Sequence, residues 1–150
     1  MKKIRNKIIT MKKLMLLLVA VFALNSCTQL DDNAPNYYLE VLPIESFVVP
    51  QSFDMNAYYD ITVTYKQPTS CHIYDGIYYE KSGDERTFGI QAKVFNTDTA
   101  KCDTLDEAPI EVKFKFQCTP GYQKYVFKFY KGEDAQGNNI FEEVTVPVTY

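Results

Sequence analysis

The sequence predicts an all-β domain, an antiparallel β-sandwich of about seven strands. The chain has twelve tyrosines and ten phenylalanines, and aromatic and β-branched residues favour strands. Apolar and polar residues alternate in several short runs, which are separated by turn-forming residues. No helical periodicity follows Leu24. Such alternation gives each sheet one buried face and one face toward water.

The strand predictions follow the alternation from run to run. The clearest run is 58–66, where Ile61 and Val63 alternate with polar residues. The run 71–80 is interrupted at Asp75-Gly76, which predicts a break or a bulge. The predicted strands are 44–49, 58–66, 71–80, 87–95, 110–118, 125–130 and 140–148. The turn-forming or polar connections between them include 67–70, 81–84, 96–109, 119–121 and 132–139.

Residues 1–26 have the pattern of a secretory signal. Basic residues as far as Lys13 precede an apolar run from Leu14 to Leu24. That run is about half of the ~20 residues that a transmembrane helix needs, so it predicts export rather than a membrane span. Met11 offers a second start, because the chain from Met11 onward suffices for a signal.

The end of this segment, Leu24-Asn25-Ser26-Cys27, resembles the lipobox of bacterial lipoproteins. Asn25 departs from the small residue that is commonest at its position. The resemblance implies that the Cys27 thiol takes a diacylglycerol and that its freed amine is acylated, and two or three chains make a durable anchor. The alternative is an ordinary signal peptide with a chance cysteine.

Residues 27–43 are predicted to be an acidic tether, within which 37–39 would be the first residues to touch the domain. Thr28 follows the lipobox, and by resemblance to proteobacterial sorting this argues against retention in the inner membrane. Asp31 and Asp32 resemble the surface-export signals of Bacteroidota lipoproteins, or they simply solvate the tether. We expect an outer-membrane protein, with its surface or periplasmic orientation open.

The charge balance limits the partners of the exported chain. Six of the sixteen basic residues and none of the nineteen acids lie in residues 1–26, which leaves ten bases, nineteen acids and a net charge of −9. A nucleic-acid partner is excluded, because phosphates require a basic face. Docking to an anionic membrane is disfavoured for the same reason. The lipid on Cys27 is therefore the expected membrane attachment of a single domain at 44–150.

A second resemblance lies in segment 121–129. It resembles the penultimate strand of immunoglobulin-like domains, with Tyr125 at the position of a tyrosine corner. The usual acidic residue and second cysteine of that motif are missing. Together the two resemblances imply a small Bacteroidota lipoprotein of flavobacterial type with an immunoglobulin-like sandwich. The resemblance to such lipoproteins is specific only over residues 11–32, and the rest of the chain resembles a fold.

Three cysteines remain after Cys27, and export permits a disulfide. If the strands run up and down, Cys71 and Cys102 lie at one end of the sandwich and Cys118 at the other. An eight-residue strand spans ~25 Å, whereas a disulfide needs α-carbons within about 7 Å. We predict a Cys71–Cys102 disulfide and a buried free thiol at Cys118. Cys102–Cys118 is the second choice, and three free thiols remain an alternative.

The sequence contains no catalytic or metal motif, and it implies no cofactor. His72 adjoins Cys71, but neighbouring strand residues point to opposite faces, so a Cys–His dyad is not expected. Segment 133–139 is oxygen-rich like a calcium loop, yet it departs from the EF-hand pattern and is better interpreted as a hairpin loop. Thr99 and Thr104 lie in sequences that resemble the Bacteroidota O-glycosylation sequon, or in a plain solvated loop.

Exposed tyrosines are the candidate binding residues. The pairs at 58–59 and 78–79 must each place one ring on an outer face of a regular strand, unless neighbouring loops cover it. We take Tyr58, Tyr78 and Tyr130 as possible binding-surface aromatics for an unknown protein or glycan. The first hypothesis is a non-enzymatic binding or accessory module. The alternatives are a structural or assembly subunit of an envelope complex and a small carbohydrate-active or other enzyme.

Overall fold

The protein folds as a β-sandwich. The structure, a computed structural model, describes residues 36–95 and 101–149. Over those ranges it contains nine strands and no helix, and therefore no helix that could cross a membrane. The strands are β1 (Tyr37–Leu42), β2 (Ser46–Val48), β3 (Phe53–Asp54), β4 (Tyr58–Tyr65), β5 (His72–Ser82), β6 (Glu85–Phe95), β7 (Ile110–Gln117), β8 (Lys124–Glu133) and β9 (Asn139–Thr149).

The two sheets of the sandwich are unequal in size. The smaller has three antiparallel strands in the order β2-β4-β7. The larger has six strands, in which β5 pairs along most of one side of β6, while β1 and β8 pair with different halves of β6 on its other side. β9 and β3 complete this sheet beyond β8. Two of its pairings, β6–β8 and β3–β9, are parallel, so the larger sheet is mixed rather than antiparallel as predicted.

The two strands beyond the predicted seven are β1 and β3. β1 lies inside the predicted tether, so that prediction is wrong for Tyr37–Leu42, which forms an antiparallel ladder with β6. Tyr38 and Leu39 in β1 are consecutive exposed residues, so the strand shows no clean alternation. β3 has only two residues, too few for any periodic pattern.

A tight hairpin sets the register between β5 and β6. Ser82 pairs with Glu85, which leaves a loop of Gly83 and Asp84. Gly83 has φ 57° and Asp84 has no positive φ, the pattern of a type II′ turn with glycine in its first position. The predicted irregularity in this strand is a register shift between Tyr74 and Gly76. Beyond it, the ladder places Tyr78 opposite Gly89 and Lys81 opposite Arg86.

Aromatic rings fill the space between the sheets. Phe53 of β3 contacts both sheets, with its ring centroid 5.0 Å from that of Phe116 on β7 and 5.6 Å from that of Phe127 on β8. The largest fully buried side chains also include Phe88, Tyr125 and Phe129. Burial of such rings removes a large apolar area from water on folding.

The cysteines lie as the up-and-down reading of the strands predicts. Cys71 and Cys102 form a disulfide with their α-carbons 5.4 Å apart. Cys118 is free and fully buried. Burial raises the pKa of the Cys118 thiol, so this group stays protonated and unreactive.

Tyr125 ties the start of β8 to the preceding turn. Its ring is fully buried, and its hydroxyl donates to the carbonyl of Thr119 at 2.9 Å and accepts from the Thr119 amide at 3.0 Å. A tyrosine hydroxyl bonded to backbone a few residues upstream is the arrangement of a tyrosine corner.

We expect Tyr125→Phe to lower the free energy of unfolding by about 1–3 kcal/mol, because the Thr119 backbone groups lose their partner while the ring packing stays. Urea denaturation of the two proteins measures the difference. Tyr58→Phe removes a hydroxyl from an exposed ring and should leave the free energy unchanged. Equal effects of the two substitutions would contradict the role given to Tyr125.

Candidate functional site

A groove runs across the outer face of the larger sheet, and we call it the outer-face groove. Its volume is about 470 Å³. Its lining comes from β1, β5, β6, β8 and β9, with Leu39, Glu40, Val41, Tyr78, Glu80, Thr87, Tyr130, Glu133, Asn139 and Phe141. Five strands therefore contribute to one concave surface, and a site built on strands is held more rigidly than one built on loops.

Gly89 shapes the groove at its centre. Tyr78 lies opposite Gly89 on β5, and the β6–β8 register pairs Phe88 with Phe129, which places Tyr130 beside Gly89 on the other side. A Cβ atom built on Gly89 would lie 3.7 Å from the Cβ atoms of both tyrosines and would overlap Cγ1 of Val41. Only glycine therefore lets Val41 approach the strand this closely, whereas the distances to the two tyrosines are ordinary van der Waals contacts.

The chemistry of the groove is aromatic and acidic. The ring centroids of Tyr130 and Phe141 are 6.0 Å apart, and the Tyr78 hydroxyl donates to Glu80 Oε2 at 3.1 Å. That hydrogen bond raises the pKa of Tyr78, whereas burial, aided by the charges of Glu133 and Glu40, raises the pKa of Tyr130. Both phenols therefore stay neutral at physiological pH.

The groove contains acids but no bases. Its lining includes three glutamates and no lysine, arginine or histidine. One of them, Glu40, already lies 3.3 Å from Nε2 of His72. The neighbouring Lys128 is paired with Glu85 and Glu143 at 3.8 and 3.3 Å, and its ammonium lies 5.6 Å from the Phe141 ring centroid. Carboxylates beside aromatic faces suit a cationic group.

The three tyrosines predicted as binding aromatics separate into two groups. Tyr78 and Tyr130 line the outer-face groove together. Tyr58 is 64% exposed but lies on β4 in the smaller sheet, opposite Gln117, and it does not line that groove. Sequence reasoning missed Gly89 and Phe141. An isolated glycine within an alternating strand was the available signal for close backbone approach.

His72 forms a hydrogen-bonded chain beside the disulfide. Its Nδ1 lies 2.8 Å from Oγ1 of Thr69, while its Nε2 faces Glu40. The Thr69 hydroxyl also accepts from the Cys71 amide at 3.2 Å, as in a local side-chain turn. These contacts hold the strand start near the disulfide. His72 does not line the groove.

The loop between β8 and β9 is organised by its own aspartate. Oδ1 of Asp134 accepts from the amides of Gln136 and Asn138, both at 2.8 Å. The hydrogen bonds from Asn138 contribute most to lowering the pKa of Asp134. The carboxylate therefore has its partners within the loop. No cluster of three or more potential ligands for a metal occurs in residues 36–95 and 101–149.

Of the remaining predicted site residues, the structure describes only Thr104. Thr104 is exposed and forms an isolated backbone bridge with Thr69. Thr99 and Cys27 lie outside the described residues. Glycosylation at either threonine and lipidation of Cys27 remain predictions.

Comparison of the chain with protein-family models, with curated proteins and with solved structures finds no match. The outer-face groove and its chemistry therefore carry the functional argument by themselves.

Gly89→Ala tests the close packing at the floor of the groove. The added methyl group must displace Val41, and we expect a loss of about 1–3 kcal/mol in the free energy of unfolding, as for other overpacked sites. Chemical denaturation measures it. Thr145→Ala, at an exposed position on β9, is the control and should change stability by less than about 0.5 kcal/mol. An unchanged midpoint for Gly89→Ala would contradict the packing described.

Proposed function

We propose that this protein is a lipid-anchored lipoprotein of the bacterial cell envelope whose sandwich domain is a non-enzymatic binding module. Residues 1–26 support export, and the lipobox supports anchoring through Cys27 at the outer membrane. The outer-face groove, which brings Tyr78 and Tyr130 together around Gly89, is the observation that supports binding. Neither His72 nor the buried thiol of Cys118 lines this groove, which favours binding over catalysis there.

The ligand that suits the groove best carries a cationic group on a flexible stem, such as an arginine or lysine side chain of a partner protein. The tyrosine rings offer neutral aromatic faces, and Glu80 and Glu133 offer carboxylates. A glycan could stack on the same rings, but it would leave the charge of the two carboxylates uncompensated. The charge of the groove thus favours the basic peptide.

The test compares acetyl-Gly-Arg-Gly-amide with the same peptide carrying citrulline, which has nearly the same shape and no charge. Titration followed by NMR should show arginine-dependent shifts at Tyr78 and Tyr130. Tyr130→Ala should weaken binding about tenfold, since a desolvated cation–π contact contributes about 1–2 kcal/mol. Tyr58→Ala is the matched control and should bind as the unchanged protein does. Equal binding of both peptides would overturn the cationic ligand.

The anchoring proposal has a separate test. Cys27→Ser should abolish palmitate incorporation and move the protein from the membrane to the soluble fraction, because the acidic mature chain has no electrostatic attraction to anionic lipid. Cys118→Ser is the control and should stay in the membrane fraction, since Cys118 is buried in the folded domain. Undiminished palmitate incorporation by the Cys27→Ser protein would refute lipid anchoring through this residue.

A structural or assembly role in an envelope complex is the second candidate. One observation favours it, namely that β5 exposes the large apolar side chains of Ile73, Tyr74 and Tyr79 along one strand. Exposed apolar side chains along a strand with an unpaired edge commonly mark a site of protein association.

A further inference from the structure

Between the two sheets lies a second concavity, which we call the inter-sheet cleft. It has a volume of about 380 Å³ and is flanked by β5 of the larger sheet and β7 of the smaller one. Within the described residues, β5 pairs only with β6, and β7 pairs only with β4. Each strand therefore keeps one edge unpaired beside the same cleft, and its backbone groups there are free to bond a further strand.

The smaller sheet ends before it covers the inner face of β5. Tyr79 pairs with Phe88 in the β5–β6 ladder, so both side chains face the inside of the sandwich. Phe88 is 1% exposed, yet Tyr79 is 50% exposed. The difference arises because Phe88 packs against Phe114 of β7, with ring centroids 4.9 Å apart, whereas no strand lies beyond β7 in the part of the smaller sheet that the structure describes. Ile77, Tyr79 and Phe88 form an apolar wall of the cleft.

A buried arginine lies in this cleft. Arg86 is only 2% exposed, and one of its nitrogens, Nη1, donates to the carbonyls of Gly83 and Glu85 at 2.7 and 2.6 Å. Its guanidinium carbon lies 4.8 Å from the ring centroid of Tyr125 and 5.4 Å from that of Tyr122. No carboxylate of the described residues lies within 4.0 Å of it. A buried charge without a counter-ion is costly, and an incoming anion would lower that cost.

The cleft contains two of the three described bases that have no carboxylate partner. The described residues include ten lysines and arginines, and seven of them have a carboxylate within 4.0 Å. The other three are Lys81, Arg86 and Lys124. Lys81 and Arg86 are cross-strand neighbours, and both line the inter-sheet cleft. Two of these three bases thus share one cleft, which has an apolar wall and lies between two open strand edges.

We infer that the inter-sheet cleft binds an acidic extended segment of a partner protein, which adds as a strand to the free edge of β7. Its backbone pairs with β7, its apolar side chains cover Ile77 and Tyr79, and its carboxylate pairs with exposed Lys81 and lies near the buried charge of Arg86. Strand addition of this kind uses the backbone for affinity and side-chain pockets for specificity.

Charge identifies the kind of partner. A second copy would bring another net charge of −9 from residues 27–150 to the complex, and two such acidic domains repel each other. The outward-facing residues Lys113 and Lys115 of β7 are exposed, and lysines on an edge strand discourage pairing between identical edges. A separate protein with a short acidic strand avoids both obstacles.

The probe is the peptide acetyl-Glu-Thr-Val-Thr-Val-Thr-Val-Thr-amide, which places its glutamate and valines on one face of a strand. We expect it to bind the full chain in detergent micelles and to slow hydrogen exchange of alternate amides in β7. The glutamine version should bind about tenfold more weakly, because it has no charge to pair with Lys81 or to offset that of Arg86. A version with methylated backbone nitrogens on the pairing edge should lose binding altogether.

The protein side of the test uses a matched pair of lysines. Lys81→Gln should weaken binding of the glutamate peptide several-fold without changing that of the glutamine peptide, since only the carboxylate interacts with its charge. Lys124→Gln removes an unpaired base that does not line the cleft and should have no effect. Exposed Lys81 can be changed without disturbing the core, unlike Arg86.

Three results would overturn the inference. Equal affinity for the glutamate and glutamine peptides would show that the cleft does not recognise a carboxylate. Unchanged affinity of the N-methylated peptide would show that the peptide does not bind as an added strand. Absence of protection from hydrogen exchange in β7 at saturating peptide would show that the peptide does not bind at this strand. A stable dimer of the full chain whose interface protects β7 would show that a second copy occupies the edge instead.

Discussion

The inner face of the six-stranded sheet is larger than the three-stranded sheet can cover. This mismatch in size explains why side chains on the inner face of β5 are exposed and why a cleft lies between the sheets. β4 and β7 cover the middle of the larger sheet, where Ile90 and Phe127 are fully buried. Toward β5 the cover ends, and side chains on the inner face become exposed. A sandwich normally buries the inner faces of both sheets. The partly uncovered inner face of β5, a strand at the edge of its sheet, is therefore a feature that requires a reason.

The core holds despite the mismatch because large rings span the gap between the sheets. Phe53 belongs to a strand of only two residues, yet it contacts Tyr59 and Phe116 from one sheet and Tyr125 and Phe127 from the other. Each such aromatic pair contributes about 0.5–1.5 kcal/mol beyond the area that it buries. Concentration of these rings around Phe53 and Phe88 leaves the Tyr79 side of the sandwich with less packing. The chain thus combines a well-packed centre with an open flank.

The sequence predicted the parts of the fold that depend on local pattern. Strict alternation located the long strands, and strand direction placed Cys71 near Cys102. The parallel pairing of β6 with β8 had no local signal, because β7 and two connections separate these strands in the chain. β1 was missed for a different reason. It lies beside β6 near its crowded junction with β8, and Gly89 rather than any periodicity in residues 37–42 provides the space for Val41.

The candidate site likewise could be predicted only where it depends on local sequence pattern. Consecutive tyrosines predicted that one ring of each pair faces outward, and Tyr78 does lie on the outer face of β5. Only the sheet order brings Tyr130 next to it, and only the pairing of Lys81 with Arg86 places two cations together. Arg86 also looks unremarkable as a residue in sequence, since arginine in a strand is usually solvated. Its burial against Tyr125 depends on the Tyr125–Thr119 hydrogen bonds, which hold that ring in place. The bonds that fix the turn before β8 therefore also position the charge in the inter-sheet cleft.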